Sequence, residues 1–540
     1  MSIEDTTDIE SAQDASSTPN VTVASWNVSG VNNNPFEYHA TRHEASARAF
    51  TRAFERVLFT TTTEDDAHAL ECAFPRARRE ALEEKLSEFG LLGTRARASY
   101  ETYARERTTR DMLRDEELGA KRLCSMPDRA TNTVSVDGAR RVVRRPTVIN
   151  CYDVSLMNED DWWEKWLAYM FQDEVSVGGR SRKMIEMFIP IVRAKYPAVS
   201  EEEEELGVAL QAFFLAAFDA SLIAVATEAA GGFQEWQDIR AGLFEDLIKH
   251  KTKRTLDVVA KCLLGRARDA GATRVCFLQE VGSAFADALR AREDVGEDFD
   301  VCCPSDMDLK RDQNSIVVIS KSLTNGGEAP REVTSDVLRS MGERAAALSK
   351  GDFCAFAARD AKMGINYVFA SFHGDTDGLQ TKHITTAMEA YCADAANAVD
   401  VCVFGMDANT HSYHKDGKKQ GVVDFIDFLK SSTSFSSCWT LANVDVERAH
   451  TTFSARTFLQ PQLNKAVPLD QIETHILTDR HLKDHILVRT NGARVVLRDV
   501  ERVNAVDFSS FVASFDAGSM FPNASFPSDH ACVLCACTFT

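Results

Sequence analysis

The sequence predicts an α/β chain: a layered core of apolar strands, interrupted after its first strand by a long and mostly helical insertion. Three observations predict it. An alternating run rich in Val and Thr, VTVASWNVSG, reads as a strand ending near Asn27. From about His39 to Gly231 the texture turns helical, with Arg/Glu mixtures such as RARREALEEKLSEFG and aromatic clusters such as DDWWEKWLAYMF. After Gly271, short apolar runs alternate with turns and helices, and several are apolar throughout, as strands buried on both faces are.

The bulk numbers agree with a folded chain. Its 540 residues, 44% hydrophobic and 26% charged, can bury a large core. Length alone suggests roughly two to four domains at about 150 residues each. The net charge of −20, from 81 acidic and 61 basic residues, repels polyanions at long range and argues against sequence-blind coating of nucleic acid. It leaves room for a metal-bridged site, because a bound divalent cation reverses the local sign. The 14 cysteines form no zinc-finger spacing and read as free thiols in a reducing compartment.

Taken in order, residues 1–20 form an acidic polar leader, expected to be disordered, with neither a basic n-region nor an apolar h-region. An intracellular chain, cytoplasmic or nuclear and without a signal peptide, is the expectation. The first strand falls in residues 21–36, closed by VNNNPFEY. Residues 37–239 are the expected helical insertion, with RRPTVINCY as a short extended piece within it. Trp162, Trp163, Trp166 and Tyr169 recur at helical spacing, the mark of core packing.

The run from Leu206 to Ala230 has nearly the length of a membrane span, yet it carries Gln211 and Asp219. A central Asp costs about 2.5–3.5 kcal/mol on insertion scales, and no basic cluster flanks the run. Ser200 followed by Glu203 reads as a capping box. A buried core helix, with no stable membrane insertion, is the expected outcome. Residues 240–540 return to the first strand's domain: two helices broken near Lys251, then strands at RVCFLQE, NSIVVISK, FCAFAARD, INYVFASFHGD, VDVCVFGMDAN, DHILV, ARVVLRDV and HACVLCACTF.

Polar residues cluster where these strands run out, which is where α/β proteins place function. They are Asn27, Glu280, His373, Asp407, Asn409, Asp484, Asp529 and His530. Carboxylate and amide oxygens without thiolates suit a hard divalent cation. The histidines have spare carboxylates to pair with. Phosphate-ester hydrolysis needs such parts: charge to neutralise the phosphate oxygens, a base for water, and donors for developing charge. Singly, each motif is more often structural than functional.

The ordered set is more specific. W-N, Q-E, a strand ending in His, D-x-N, an Asp opening a strand and a late S-D-H together resemble the endonuclease/exonuclease/phosphatase superfamily. The resemblance covers residues 21–36 and about 240–540, and implies the deoxyribonuclease I-like four-layered α/β-sandwich. It implies Glu280 as main Mg²⁺ ligand (Mn²⁺ being an alternative), with Asn27 and Asp529 completing or supporting the site. Asp407 would orient or deprotonate the attacking water, and Asn409 would hold the phosphate or the metal shell. His530 would contact the scissile phosphate with Asp484 fixing its tautomer, and His373 would face the phosphate as well. The implied chemistry is in-line attack by water without a covalent intermediate.

Three departures stand out. Met406 occupies a position where the family commonly has glycine, His485 follows Asp484 in place of an aromatic, and the gap between Asn27 and Glu280 holds the insertion. Arg456 and Lys465, in ARTFLQPQLNKAV, and Asn314 are weaker candidates for substrate contact. The implied partner is a phosphate-ester substrate, single-stranded nucleic acid among the options, and the insertion is a candidate surface for a protein partner. Two other readings stand beside a nuclease. One is a phosphatase or phosphodiesterase on small phosphorylated or lipid head-group substrates, although no P-x-W-C-D-R-type motif surrounds Asp484 and no anchor is evident. The other is a non-catalytic adaptor, disfavoured by retention of every expected acidic and histidine residue.

Overall fold

The apolar runs pair into two six-stranded sheets laid face to face. The computed structural model describes residues 20–30, 34, 45–60, 69–136, 141–177, 179–244, 251–265, 273–309, 311–324, 327–412, 417–452, 454–455, 478–492, 495–503 and 526–539. The acidic leader, Arg456 and Lys465 lie outside these described residues.

Numbered along the chain, the sheet strands are β1 (Asn20–Asn27), β2 (Thr273–Val281), β3 (Phe299–Cys302), β4 (Asn314–Ser320), β5 (Arg331–Glu332) and β6 (Phe353–Arg359). They continue as β7 (Asn366–His373), β8 (Val401–Asp407), β9 (Ser436–Ser437), β10 (Asp484–Thr490), β11 (Val495–Val503) and β12 (Cys532–Phe539). The first sheet runs β11-β12-β1-β2-β4-β3 and the second β9-β10-β8-β7-β6-β5. Each longer strand matches an apolar run read from the sequence. The short strands β3, β5 and β9 carried too few alternations to be seen.

Strand alternation builds four layers. Val21, Val23, Val275, Phe277, Phe369, Val401, Val403, Ile486 and Val533 point between the sheets and form one core. Their neighbours point outward under helices: Cys276 and Leu278 join Val258 and Leu289 on one side. Phe404 and Met406 join Ile384, Met388 and Phe425 on the other. Burial of each such large side chain contributes about 1.5–3 kcal/mol. The outward face of β8 thus explains Met406, whose side chain is core. Gly405, one residue earlier, faces the other sheet, where a Cβ would come within 2.4 Å of the Phe277 ring. Only glycine lets β8 pass there.

Described residues between Phe50 and Trp236 build a separate apolar core that contains no residue of the two sheets. Its centre is the helix Glu201–Ala230, N-capped by the Ser200/Glu203 capping box and ended by Gly231 at φ 86°. By length and composition this helix could cross a membrane, but 89% of its apolar window is buried inside the protein. Asp219, at its middle, accepts from Arg145 Nε at 2.7 Å, Thr147 Oγ1 at 2.6 Å and Trp166 Nε1 at 2.8 Å. A buried ion pair thus satisfies the one buried acid of the apolar run; Glu228, near its end, is exposed. The aromatic cluster is core as expected, with Trp163 and Trp166 stacked at 5.2 Å.

Two details of the sequence reading change. RRPTVINCY is extended only at its start, in the strand Arg141–Arg144, because Arg145 beyond it turns inward to Asp219. The expected boundary at 239/240 falls inside the helix Phe233–Phe244, whose Trp236 stacks on Phe50 at 5.2 Å in the helical core. The next segment, Thr252–Asp257 continuing as the π-helix Val258–Leu264, packs on the sheets instead.

Candidate active site

The gap between the sheets becomes polar at one end. Ser25, Gln279 and Ser371 begin the change, with Gln279 Nε2 donating to Ser371 Oγ at 3.0 Å. Two residues beyond Ser25 and Ser371, alternation brings Asn27 and His373 to the same face. Asp407 and Asp484 arrive by register: His373 pairs with Asp407 across β7 and β8, and Asp407 with Asp484 across β8 and β10.

Glu280 does not arrive by alternation. Leu278 faces the outer helices, so a regular β2 would send Glu280 outward too. Instead the ladder with β4 shifts register between Leu278 and Val281, and Glu280 takes φ 55°. This bulge re-aims the carboxylate into the gap. A non-glycine residue in that conformation costs about 1–3 kcal/mol and persists where the surroundings enforce it. Gly30 leaves room for it, since a Cβ there would lie 2.3 Å from Glu280 O.

Three contacts then cross the gap side by side. His530 Nδ1 lies 2.9 Å from Asp484 Oδ2, Asn27 Nδ2 lies 3.0 Å from Asp407 Oδ2, and His373 Nε2 lies 3.3 Å from Glu280 Oε1. Asp407 is the centre, with His530 Nε2 at 3.7 Å and His373 Nε2 at 3.8 Å. Asn27 Nδ2 also donates to Glu280 Oε1 at 3.1 Å, while its Oδ1 accepts from Ser29 N at 2.9 Å. The segment before β12 is tied to β1 by Trp26 Nε1 donating to His530 O at 2.8 Å and Ser528 Oγ donating to Asn27 O at 2.6 Å. The two chain-distant motifs are thereby one structure.

Charge follows geometry. Burial would raise the Glu280 carboxyl, but the His373 hydrogen bond and charge outweigh it and hold the group at about 2. Burial would lower His530, but the Asp484 and Asp407 carboxylates push it up to about 10. His373 is likewise raised against its burial, by Asp352 and Glu280. The Glu280 carboxylate is thus held ionised, while burial pushes the Asp484 carboxyl up against the pull of His530.

The sequence reading missed the residues behind this arrangement. Asp352 Oδ1 lies 3.6 Å from His373 Nδ1, and Arg311 Nη2 donates to the same Asp352 oxygen. Gln313 Nε2 reaches Glu280 Oε2 at 3.4 Å. Their only signal was position just before an apolar strand, which surface turns share. Lys483 is buried and pairs with Asp479 Oδ2 at 2.8 Å.

Other candidates find different places. Asn314 is corrected: it is buried, its Nδ2 donates to Val281 O and Asp308 O, each at 3.3 Å, and its Oδ1 accepts from Asp308 N at 2.7 Å. It braces a loop and has no amide group left for substrate. Asn409, at φ 47°, donates N–H to Asp407 Oδ1 at 3.0 Å and Nδ2 to Gly374 O at 2.9 Å, so it orients Asp407. Asp529 is partly exposed and makes no hydrogen bond or ion pair among the described residues, leaving its carboxylate available beside His530. His485 packs as the missing aromatic would, edge-on to Phe425 at 5.4 Å.

The donor set fits a hard divalent cation, since it offers the ionised Glu280 carboxylate with Asp407 and Asp529 oxygens and no thiolate. Asp407, Asp484 and His530 also bring ligand atoms within 4.8 Å of one another. There, however, the Asp484 carboxylate is taken by His530 Nδ1. The Glu280 oxygens are engaged as well, Oε1 by Asn27 Nδ2 and His373 Nε2 and Oε2 by Gln313 Nε2, so a cation at either place would displace donors now present.

Comparison with known proteins adds the following. A family profile described as a domain of unknown function, DUF8234, matches residues 68–241. No curated protein matches the chain. Among solved structures it is similar to TDP2 of D. rerio complexed with a single-strand DNA product, at 13% identity and TM-score 0.34, over 54% of this chain and 95% of that one. It is also similar to an endonuclease/exonuclease/phosphatase family protein of Bacteroides thetaiotaomicron, at 13% identity and TM-score 0.32, over 55% and 93% of the two chains. A third is the mannosyl-6-phosphatase Bt3783 of the same organism, at 12% identity and TM-score 0.32, over 55% and 94%.

Proposed function

We propose that the chain is a Mg²⁺-dependent phosphodiesterase that hydrolyses single-stranded nucleic acid by direct attack of water. The observation that carries this reading is the row of three cross-sheet contacts, His530–Asp484, Asn27–Asp407 and Glu280–His373, centred on one buried carboxylate. A divalent cation held by Glu280, with Asp529 and the Asn27 amide beside it, would neutralise the phosphate oxygens.

The chain's own groups divide the remaining work. Asp407 has one oxygen fixed by Asn409 N–H and the other by Asn27 Nδ2, so its carboxylate is oriented to take a proton from water. His530 Nδ1–H donates a hydrogen bond to Asp484 and Nε2 turns toward Asp407, where the protonated imidazole would donate to a phosphate oxygen. His373 offers a second positive donor on the other flank.

Water is the nucleophile because the side-chain hydroxyls at the site are engaged. Ser528 Oγ is bound to Asn27 O and His530 N, and Thr410 Oγ1 to Leu482 O and His485 Nε2. Within this reading the helical unit is an inserted domain, and it is the surface offered to a protein partner.

The test is hydrolysis of labelled single-stranded RNA and DNA by the full chain, with Mg²⁺ and with chelator. Cleavage that chelator abolishes and Mg²⁺ restores is expected, and the product ladder separates internal from terminal cleavage. A folded protein that cuts neither strand, yet releases phosphate from a small monoester, would move the function to the phosphatase reading.

A further inference from the structure

Far from the sheets, the helical unit holds an open cavity of about 760 Å³ between the helices Arg76–Glu88 and Gly93–Ala104. Four arginines line it, Arg76, Arg79, Arg97 and Arg105, against three glutamates. Arg76 pairs with Glu80 at 2.8 Å and Arg97 with Glu83 at 3.0 Å, which leaves Arg79 and Arg105 as the less fully paired guanidiniums.

Two buried polar atoms lack partners, one on the lining residue Arg79 and one on Tyr100 of the helical core. Arg79 is 5% exposed; its Nη1 reaches Glu71 at 3.2 Å and Glu101 at 3.5 Å, while its Nε is buried without an acceptor. The Tyr100 hydroxyl, within the field of Arg79 and Glu71, is also buried and unbonded. Leaving such a donor unsatisfied costs about 1–3 kcal/mol, so the place calls for an acceptor. At the rim, Arg105 is exposed and its guanidinium makes no hydrogen bond or ion pair among the described residues.

We propose that this cavity binds a small phosphate-bearing anion, held by the guanidinium forks of Arg79 and Arg105 with Arg76 and Arg97 at its edge. Planar guanidinium binds phosphate oxygens two at a time. An anion there competes with Glu71 and Glu101, whose side chains are 61% and 37% exposed and so free to swing away from the buried Arg79. The volume falls within the range of about 300–1,000 Å³ typical of small-molecule sites. The acidic chain around it disfavours a long polyanion.

The test is calorimetric titration of the full chain with inorganic phosphate, pyrophosphate and sulfate at fixed ionic strength, in chelator so that no divalent cation bridges an anion to the sheets. Saturable binding of phosphate or pyrophosphate, at least tenfold tighter than sulfate, is expected. Phosphate alone sufficing identifies the free ion as the ligand chemistry, and a need for pyrophosphate identifies a diphosphate group. Arg105→Glu and Arg79→Lys should each weaken binding at least tenfold, while His530→Gln leaves it unchanged. Because Arg105 is exposed, its variant tests the site even if Arg79→Lys fails to fold. No saturable binding, binding equal to that of sulfate, binding indifferent to Arg105→Glu, or binding lost in His530→Gln would overturn the proposal.

Discussion

Glu280 meets His373 across the two sheets, Oε1 to Nε2 at 3.3 Å, only because Glu280 leaves the strand's alternation at φ 55°. The backbone is strained where the carboxylate is needed, and the strain and the chemistry reside in one residue.

Glu280→Gly separates the two. Glycine adopts positive φ without a Cβ penalty, so the substitution removes strain of about 1–3 kcal/mol against a flexibility cost of about 0.5–1 kcal/mol. The relieved strain offsets the lost contact with His373, so thermal unfolding should show a midpoint near that of the parent, with phosphodiester cleavage gone. A large drop in the midpoint would mean that the carboxylate chiefly holds the sheets together.

His485 makes the fold acid-sensitive. Burial lowers its imidazole from 6.5 to about 4, so the folded state binds that proton less readily than the unfolded chain. The sign follows: its contribution is fully present above pH 6.5 and is lost as pH falls from there toward 4. The full shift corresponds to about 3 kcal/mol. His485→Phe keeps the packing on Phe425 and removes the titration, so denaturant unfolding at pH 7 and pH 4.5 should differ less in the variant. An unchanged pH dependence would contradict the assignment.

Asp219→Ala leaves Arg145 buried without its main counter-charge, although Asp128 Oδ1 remains at 2.6 Å from Arg145 Nη2. Breaking such a pair costs about 3–5 kcal/mol. Because the helical core shares no buried residue with the sheets, calorimetry should show one transition moved down and another unmoved. A single transition that shifts as a whole would show the two parts to be one cooperative unit.

Much of this was legible in the sequence, and the limit has a physical form. Asn27, His373, Asp407, Asp484 and His530 were readable because each ends or opens an apolar run, and alternation carries it to the gap. Glu280 was named by its motif, but its orientation depends on a bulge against β4, which no local pattern records. Asp352 and Arg311 escaped because their partners are set by how distant loops meet. Asn314 misled for the opposite reason: a polar residue opening a strand looks the same whether it braces a loop or faces a ligand. Asp219 read correctly as a core residue, while its partner Arg145, inside a run expected to be extended, did not.

The most direct measurement compares parent and Asp407→Asn protein for Mg²⁺-dependent cleavage of a labelled single strand, with the melting curve of each recorded alongside. Asp407 joins Asn27, His530 and His373, so the account predicts turnover lower by about 10²–10⁴-fold, with melting nearly unchanged. Turnover that survives the substitution, or falls only in step with the fold, would contradict it.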